Sequence, residues 1–133
     1  MVPKKHQQPL LNQDCPLRQV IGIIGDKWTL PVLYVLTQDT KRYSELQRAI
    51  PGISKKMLTQ TLRRLESDNI VKRTVYPVVP PKTEYNLTVF GNKLIEPLEV
   101  LANWAEAHQS ELQLICDRRN QNISSNRSQN LGN

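Results

Sequence analysis

The sequence has little of several residue types on which whole protein classes depend. Its 2 cysteines lie far apart, so a disulfide framework is excluded. Aromatic residues make up 5% of the 133 residues, so the core must be mainly aliphatic. The longest apolar run, residues 30–36, contains a proline and is far shorter than the roughly 18 residues of a membrane span. A signal peptide has an apolar segment directly after its basic N-terminus, and this sequence has no such segment there. We therefore expect a soluble, cytoplasmic protein without a membrane partner.

The motifs of catalysis and metal binding are missing as well. The sequence contains no glycine-rich phosphate loop, no nucleophile elbow and no pair of carboxylates arranged for catalysis. Its 2 histidines, His6 and His108, belong to no cluster of cysteine and histidine that would hold a metal. We therefore expect no enzymatic activity, no metal and no cofactor.

Positive charge, by contrast, is abundant and concentrated. The chain carries 18 Lys and Arg against 12 Asp and Glu, which gives a net charge of +6. Residues 41–82 hold ten of the basic residues and three acids, whereas residues 83–117 hold one basic residue and six acids. Because a solvated surface usually mixes its signs, this asymmetry favours a polyanionic partner, above all double-stranded DNA.

Apolar periodicity divides the chain into helices and strands. Helices are predicted over residues 16–24, around 30–36, from Ser44 to about 50, from Ser54 to about 68 and from Thr88 to about 116. Ser54 and Thr88 are the predicted caps of the last two, and either Asp26 or Thr29 caps the second helix, whose start contains Pro31. Two strands, residues 70–76 and 82–88, flank a proline-rich tip. Ser44 and Gln47 have the spacing of a capping box. The domain is predicted at residues 14–117, between a flexible arm (1–13) and a disordered Asn/Ser/Gln-rich tail (118–133).

The central elements form a helix-turn-helix with a wing. A short helix, the turn Pro51–Gly52 and a polar helix occupy about residues 43–69, and the hairpin adds a wing at about 70–88. The predicted fold is mainly α with a small β-hairpin (α+β), a winged helix-turn-helix. The second helix of such a unit enters the major groove. Its leucines cluster on one side, and the residues suited to bond with base edges cluster on the other: Lys56, Thr59, Gln60 and Arg63.

Basic side chains surround this helix. Lys55 and Lys56 stand in its first turn, where a cation opposes the helix dipole at a cost of about 0.3–1 kcal/mol each. A bound phosphate would reverse that sign. We predict phosphate contacts from the helix-turn-helix and the wing: Ser44, Lys55, Arg64, Lys72, Arg73 and Lys82. The alternatives are an ordinary solvated helix face and, for the hairpin, a β-edge protected by lysines.

The last predicted helix, the dimer helix at about 88–117, carries an apolar stripe. Its members are separated alternately by four and three positions: Leu94, Leu98, Leu101, Ala105, His108, Leu112 and Ile115. Three heptads of this kind exceed what one small core needs and fit packing against a partner helix.

Five segments occur in a characteristic order within residues 15–108: Cys15–Pro16, Ile24–Trp28, Arg42–Leu46, Ile53–Leu62 and Val79–Thr88. Together they resemble the HxlR-type branch of bacterial winged helix-turn-helix regulators, relatives of the MarR group. The resemblance implies a homodimeric DNA-binding transcriptional regulator whose first and last helices build the dimer interface. The interface residues expected on this basis are Leu17, Val20, Leu98, Leu101, Ala105, His108, Leu112 and Ile115.

The resemblance also draws attention to Cys15, because some members of this branch use the cysteine before this proline as a thiol sensor. A position beside a helix start favours a thiolate, whereas the neighbouring Asp14 opposes it. Cys116, near the end of the dimer helix, is the candidate partner for an intersubunit bridge. The alternative is a pair of unreactive, packed cysteines.

The sequence therefore predicts a sequence-specific duplex-DNA-binding regulator, a homodimeric repressor on a pseudo-palindromic operator. A thiol-reactive signal or a small ligand is the candidate inducer. The alternative function is a winged-helix protein-interaction module. In that case the basic block, residues 41–82, contacts an acidic protein surface, and the protein has no preference for any DNA sequence. Interaction hot spots are rich in aromatic residues, and the basic block has only Tyr43 and Tyr76.

Overall fold

The computed structural model describes residues 14–132, so the predicted arm at residues 1–13 lies outside the described range. Six helices and three strands follow one another in the described residues: α1 (Pro16–Ile24), α2 (Thr29–Gln38), β1 (Lys41–Arg42), α3 (Tyr43–Ala49), α4 (Lys55–Ser67), β2 (Val71–Tyr76), β3 (Lys82–Leu87), α5 (Val89–Ala107) and α6 (Gln109–Leu131). The chain forms two compact units, with the boundary between Ile95 and Glu96.

The core of the first unit is aliphatic, as the low aromatic content predicts. Its fully buried apolar side chains come from α2, α3, α4 and the start of β2: Val32, Leu33, Leu46, Leu58, Leu62, Leu65, Ile70 and Val71. Burial of each such side chain contributes about 1.5–3 kcal/mol relative to exposure. These contacts hold the helix-turn-helix against α2 and the sheet.

Helix α2 begins in a way that accommodates Pro31. Asp26 Oδ1 accepts hydrogen bonds from the backbone N–H groups of Trp28 (2.8 Å) and Thr29 (3.0 Å). Because α2 begins at Thr29, Pro31 lies in the first turn, where its missing N–H costs no helical hydrogen bond. Among residues 14–132, no single helix is long and apolar enough to cross a bilayer; only the bent pair α1 and α2, at 82° to each other, reaches that length and composition together.

The helix-turn-helix follows the sequence prediction, with one correction at its start. The predicted capping box at Ser44 is wrong, because α3 begins at Tyr43 and its cap residue is Arg42, whose backbone N–H donates to Glu45 Oε1 at 3.0 Å. Gly52 adopts φ +81° in the turn, a conformation that glycine takes without steric cost. Ser54 caps α4 as predicted, since its Oγ accepts from the Met57 N–H at 3.1 Å.

The wing is part of a three-stranded sheet and not an isolated hairpin. Strands β2 and β3 pair antiparallel, with Val71 opposite Leu87 and Tyr76 opposite Lys82. The two-residue strand β1 adds to the other edge of β3, which gives the order β1-β3-β2. A two-residue strand has no periodicity of its own, so no sequence pattern predicts it.

The C-terminal helix differs from the prediction in two ways. Thr88 caps α5 as expected, since its Oγ1 accepts from the Gly91 N–H at 2.9 Å. The single dimer helix predicted at 88–117 is divided at His108, whose Nδ1 lies 2.8 Å from the Trp104 carbonyl oxygen. The predicted disordered tail at 118–133 is helical as far as Leu131. Residues 109–131 contain no proline or glycine, and a helix satisfies its backbone hydrogen bonds without any burial.

Candidate nucleic-acid interface

Helix α4 has one buried and one exposed side. Leu58, Leu62 and Leu65 are buried in the core. On the opposite side the structure exposes three of the four predicted base-reading residues, Lys56, Gln60 and Arg63, while the fourth, Thr59, is half-buried. The exposed face therefore offers one amide and two cations, the groups that bond to adenine and guanine edges in the major groove.

The N-terminus of α4 is unusual for its charge. Lys55 and Lys56 occupy the first turn, which contains no acidic residue. Both side chains are exposed, so they meet the positive end of the helix dipole without a compensating anion on the helix itself. The first backbone N–H groups of a helix together with two lysines suit a phosphate, although the Met57 N–H already donates to Ser54. Ser44, in the first turn of α3, is also exposed.

Thr59 is held at the flank of α4 by Tyr43 of α3. The Tyr43 hydroxyl donates to the Lys55 carbonyl oxygen at 2.8 Å and lies 2.9 Å from Thr59 Oγ1. Because a tyrosine hydroxyl has a single proton, Thr59 is the donor in the second bond. The Thr59 proton is thus used within the protein, which leaves its methyl group and the acceptor side of its hydroxyl oxygen for a base.

Arg64, predicted to contact phosphate, has a partner inside the protein. Its Nη2 lies 2.5 Å from Asp26 Oδ2 and 2.5 Å from the Thr29 hydroxyl. Thr29 is fully buried, and its hydroxyl also donates to Asp26 Oδ2. The side chain of Arg64 remains 43% exposed. The guanidinium therefore joins α4 to the loop between α1 and α2.

The ionisation of Asp26 is coupled to this contact. Burial by itself would raise the pKa of Asp26, but hydrogen bonds from the Thr29 hydroxyl and from two backbone N–H groups, together with the charge of Arg64, hold the pKa below its ordinary value of 3.8. The folded protein therefore binds this proton more weakly than the unfolded chain does. The ionised carboxylate stabilises the fold above the unfolded pKa, and the stabilisation is lost as the pH falls through the lowered folded value.

We expect Asp26→Asn to remove part of the acid sensitivity of the fold. In the wild type the free energy of unfolding should decrease as the pH is lowered below about 4, and in the variant this decrease should be smaller. Urea unfolding at a series of pH values between 3 and 6 measures it, with the exposed Glu99→Gln as a matched control. The same pH slope in wild type and Asp26→Asn would contradict the assignment.

The three predicted phosphate-binding residues of the wing do not lie together. Because side chains alternate along a strand, Lys72 and Arg73 project from opposite faces of β2. Arg73 stands opposite the buried Tyr85, on the side that faces the core. Lys72 shares the other face with Lys82 and is exposed.

Lys82 is engaged within the wing. Its Nζ lies 2.8 Å from Glu84 Oε1 and 5.2 Å from the centre of the Tyr76 ring. The hydrogen bond from Lys82 lowers the pKa of Glu84, with further help from the Tyr76 hydroxyl. Of the three wing cations, Lys72 is thus the one that combines exposure with a place on the outer face and no ion pair within residues 14–132.

A cleft of about 260 Å³ separates α4 from the wing. Arg63 and Glu66 line it from α4, Arg73 and Tyr85 from the sheet, and Tyr43 from α3. Arg63 thus stands at the edge of the exposed face and lines the same cleft as Arg73. The cleft holds two guanidinium groups and one carboxylate, that of Glu66, next to the helix that carries the predicted base readers.

The tip of the wing is uncharged. Residues 77–81 are three prolines and two valines, of which Val79 is 100% exposed. The tip itself therefore offers no charged side chain to a phosphate, and the exposed Lys72 lies at the base of the wing.

The predicted thiol and interface residues differ in exposure. Cys15 is 6% exposed and precedes the first residue of α1, whereas Cys116 is exposed on α6, and both are free thiols.

No residue of α1 is buried, and Leu17 and Ile21 are about half exposed. In the second unit, the predicted stripe is likewise only partly covered: Leu98, Ala105, His108 and Leu112 are half-buried, and Leu101 and Ile115 are exposed. Val20 of α1 is half-buried.

Two residues that hold α4 were not predicted as site residues. Asp26 was visible in the sequence only as a candidate helix cap, and Tyr43 only as an aromatic residue in the basic block. The pairs they form span 38 and 16 positions. No periodicity of the sequence connects residues so far apart.

The fold and this exposed basic helix define a winged helix-turn-helix protein. The model of the HxlR-like helix-turn-helix family matches residues 23–113, and the chain belongs to that family. It is 40% identical over 110 residues to the HTH-type transcriptional regulator YtfH of Escherichia coli K12, which covers 83% of this chain and 87% of YtfH. It is 50% identical over 90 residues to the HTH-type transcriptional regulator YkvN of Bacillus subtilis 168, which covers 68% and 76%.

Solved structures give the same assignment. The redox regulator HypR in its reduced form matches with a TM-score of 0.71 and 40% identity, covering 74% of this chain and 97% of HypR. Its oxidized form matches with a TM-score of 0.66. These relatives are regulators, so the chain is a transcriptional regulator with a helix-turn-helix fold and belongs to a regulatory rather than an enzymatic family. The recognition made from the sequence segments is confirmed.

Proposed function

We propose that the protein is a sequence-specific duplex-DNA-binding repressor that acts as a homodimer on a pseudo-palindromic operator. The observation that carries the proposal is the exposed side of α4, where Lys56, Gln60 and Arg63 face away from the buried leucines. In this assignment the exposed side enters the major groove, and the lysines at the start of α4 contact phosphates. Repression follows if the bound dimer excludes polymerase from a promoter.

The proposed dimer rests on uncovered apolar surface. Helix α1 exposes Leu17 and Ile21, and the second unit exposes Leu101, Trp104 and Ile115. Apolar side chains repeated at these spacings can pack against the same helices of a second copy across a twofold axis. A twofold dimer places its two reading helices about one helical turn apart, ~34–36 Å, and so requires half-sites at that spacing.

A selection of bound duplexes from a random library tests the proposed function. The expected result is an enriched pseudo-palindrome whose half-sites are separated by about 10 base pairs. Binding without any enriched sequence would overturn sequence-specific recognition and favour the protein-interaction module. Recovery of single, unpaired half-sites would overturn the dimer alone.

Lys55→Ala is expected to weaken binding to all duplexes alike and to reduce the slope of log affinity against log salt by about one, since it removes one phosphate contact. The same change should raise the free energy of unfolding by about 0.3–1 kcal/mol, because it removes a cation from the positive end of the α4 dipole. Fluorescence anisotropy at several salt concentrations and urea unfolding measure the two effects.

Lys93→Ala, an exposed lysine of α5, is the matched control for this variant. It removes the same charge away from the start of α4 and should leave the salt slope unchanged. A Lys55→Ala variant that discriminates differently between operator and random duplex would show that Lys55 reads bases instead.

We also propose that thiol oxidation controls operator binding through Cys15. The support is its position directly before α1, at the positive end of the helix dipole, together with the similarity to a redox regulator known in reduced and oxidized forms. With diamide, which takes up the two hydrogens that two thiols lose, the expected product is a disulfide between Cys15 and Cys116 of two copies. Operator affinity should fall, and non-reducing electrophoresis should show a covalent dimer.

Cys15→Ser and Cys116→Ser separate the parts of this prediction. Cys15→Ser should bind the operator whether or not diamide is present. Cys116→Ser should abolish the covalent dimer if the bridge is the Cys15–Cys116 pair. Unchanged operator affinity of the diamide-treated wild type would remove the thiol-sensing role.

A further inference from the structure

Two polar contacts hold α4 from opposite flanks. On one flank, Tyr43 of α3 bonds to the Lys55 carbonyl oxygen and to Thr59; we call this the Tyr43 brace. On the other flank, Arg64 bonds to Asp26 and Thr29 at the start of α2; we call this the Asp26 brace. At 100° per residue, Thr59 and Arg64 are about 140° apart around the helix axis.

The three exposed base-reading candidates of α4 lie in the arc between the two braces, whereas the exposed Lys55 and Glu66 lie outside it. Proceeding from Thr59 to Arg64 around the solvent side, the helix presents Arg63, Lys56 and Gln60 in that order. The leucines on the opposite side decide which half of the helix is buried, but apolar contact has no preferred direction. Hydrogen bonds and the ion pair are directional, so they can fix the rotation of α4 about its own axis.

A small rotation has a large consequence for base recognition. On a helix of ~5–6 Å radius, a rotation of about 20° moves the tip of a side chain by about 2 Å. Hydrogen bonds to base edges tolerate only a few tenths of an ångström around 2.7–3.2 Å, whereas a flexible lysine still reaches a phosphate. The angle of rotation therefore affects specific binding far more than non-specific binding.

We propose that the Asp26 and Tyr43 braces are a positioning device that fixes the rotation of α4 and thereby the sequence specificity of DNA binding. Asp26, Tyr43 and Arg64 are positioning residues in this assignment, and they act through Lys56, Gln60 and Arg63. The inference rests on the proposed function, because it assigns to these residues an effect on recognition of the operator.

The variant Asp26→Asn separates positioning from simple electrostatics. It removes a negative charge and frees the Arg64 guanidinium, so electrostatics alone predicts tighter binding to every duplex. Positioning predicts the opposite for the operator. We expect the ratio of operator to random-duplex affinity to fall by about tenfold, the size of coupling typical for residues in contact, while random-duplex affinity stays equal or rises.

Tyr43→Phe tests the other brace without any change of charge. It should lower the ratio of operator to random-duplex affinity and leave the salt slope unchanged.

The double variant Asp26→Asn/Arg64→Gln should have the same ratio of operator to random-duplex affinity as Arg64→Gln alone, because both substitutions break the same contact. Melting curves define a temperature at which every variant is folded, and all affinities are measured there.

The outcomes distinguish this inference from the proposed function. If the wild type itself prefers no sequence, the proposed function fails. If the wild type is specific and both Asp26→Asn and Tyr43→Phe keep its affinity ratio, the positioning role is overturned and the braces contribute only to stability. An equal loss of operator and random-duplex affinity in folded variants also overturns it.

Discussion

Arg63→Ala is expected to lower the affinity for the operator by about 1–3 kcal/mol, roughly 5- to 150-fold, and to relax the sequence preference at one base pair of each half-site. Arg63 is exposed on α4, opposite the buried leucines, and lines the cleft beside Arg73. A guanidinium there can donate two parallel hydrogen bonds to O6 and N7 of a guanine from its planar fork, whereas alanine offers no donor.

Measurement of this variant requires both operator and random duplex. Base reading predicts a large loss on the operator and a small loss on random DNA, because only one charge is removed from non-specific binding. Arg127→Ala, which removes an exposed arginine from α6, is the control for charge and should change neither preference. Equal losses of Arg63→Ala on both duplexes would assign Arg63 to phosphate contact.

Leu58→Ala is expected to reduce the free energy of unfolding by about 2–5 kcal/mol and the melting temperature by roughly 8–20 °C. Leu58 is fully buried on the inner side of α4, so its truncation leaves a cavity beneath the helix that carries the proposed base readers. A loss of this size is a large fraction of the 5–15 kcal/mol that typically stabilises a domain. Thermal and urea unfolding measure it directly.

The matched control for this variant is Leu131→Ala at the end of α6. Leu131 is 88% exposed, so the same truncation should change the free energy of unfolding by no more than about 0.5 kcal/mol. If Leu58→Ala were as mild as Leu131→Ala, the leucine side of α4 would not anchor the helix, and the assignment of its exposed side would fail as well.

The elements that sequence analysis predicted correctly are those with a local signal. The leucine spacing of α4, the Ser54 and Thr88 caps and the turn at Gly52 each depend on residues within a few positions of one another. The structure differs from the prediction at the C-terminus. Composition predicted disorder after residue 117 because few apolar residues are available for burial, but Gln109–Leu131 contains no proline or glycine that would interrupt a helix, and α6 continues to Leu131.

The helix-turn-helix with its wing, and the separation of a leucine side from a polar side on α4, can be predicted from neighbouring residues alone. The folded chain was needed to find that Arg64 and Thr59 hold α4 from its flanks, that Arg73 and Lys72 lie on opposite faces of the wing, and that β1 completes the sheet. The difference lies in the distance along the chain between the interacting residues. A helical period or a cap is set by bonds within one or two turns, whereas an ion pair across 38 positions exists only after the core has brought its two ends together.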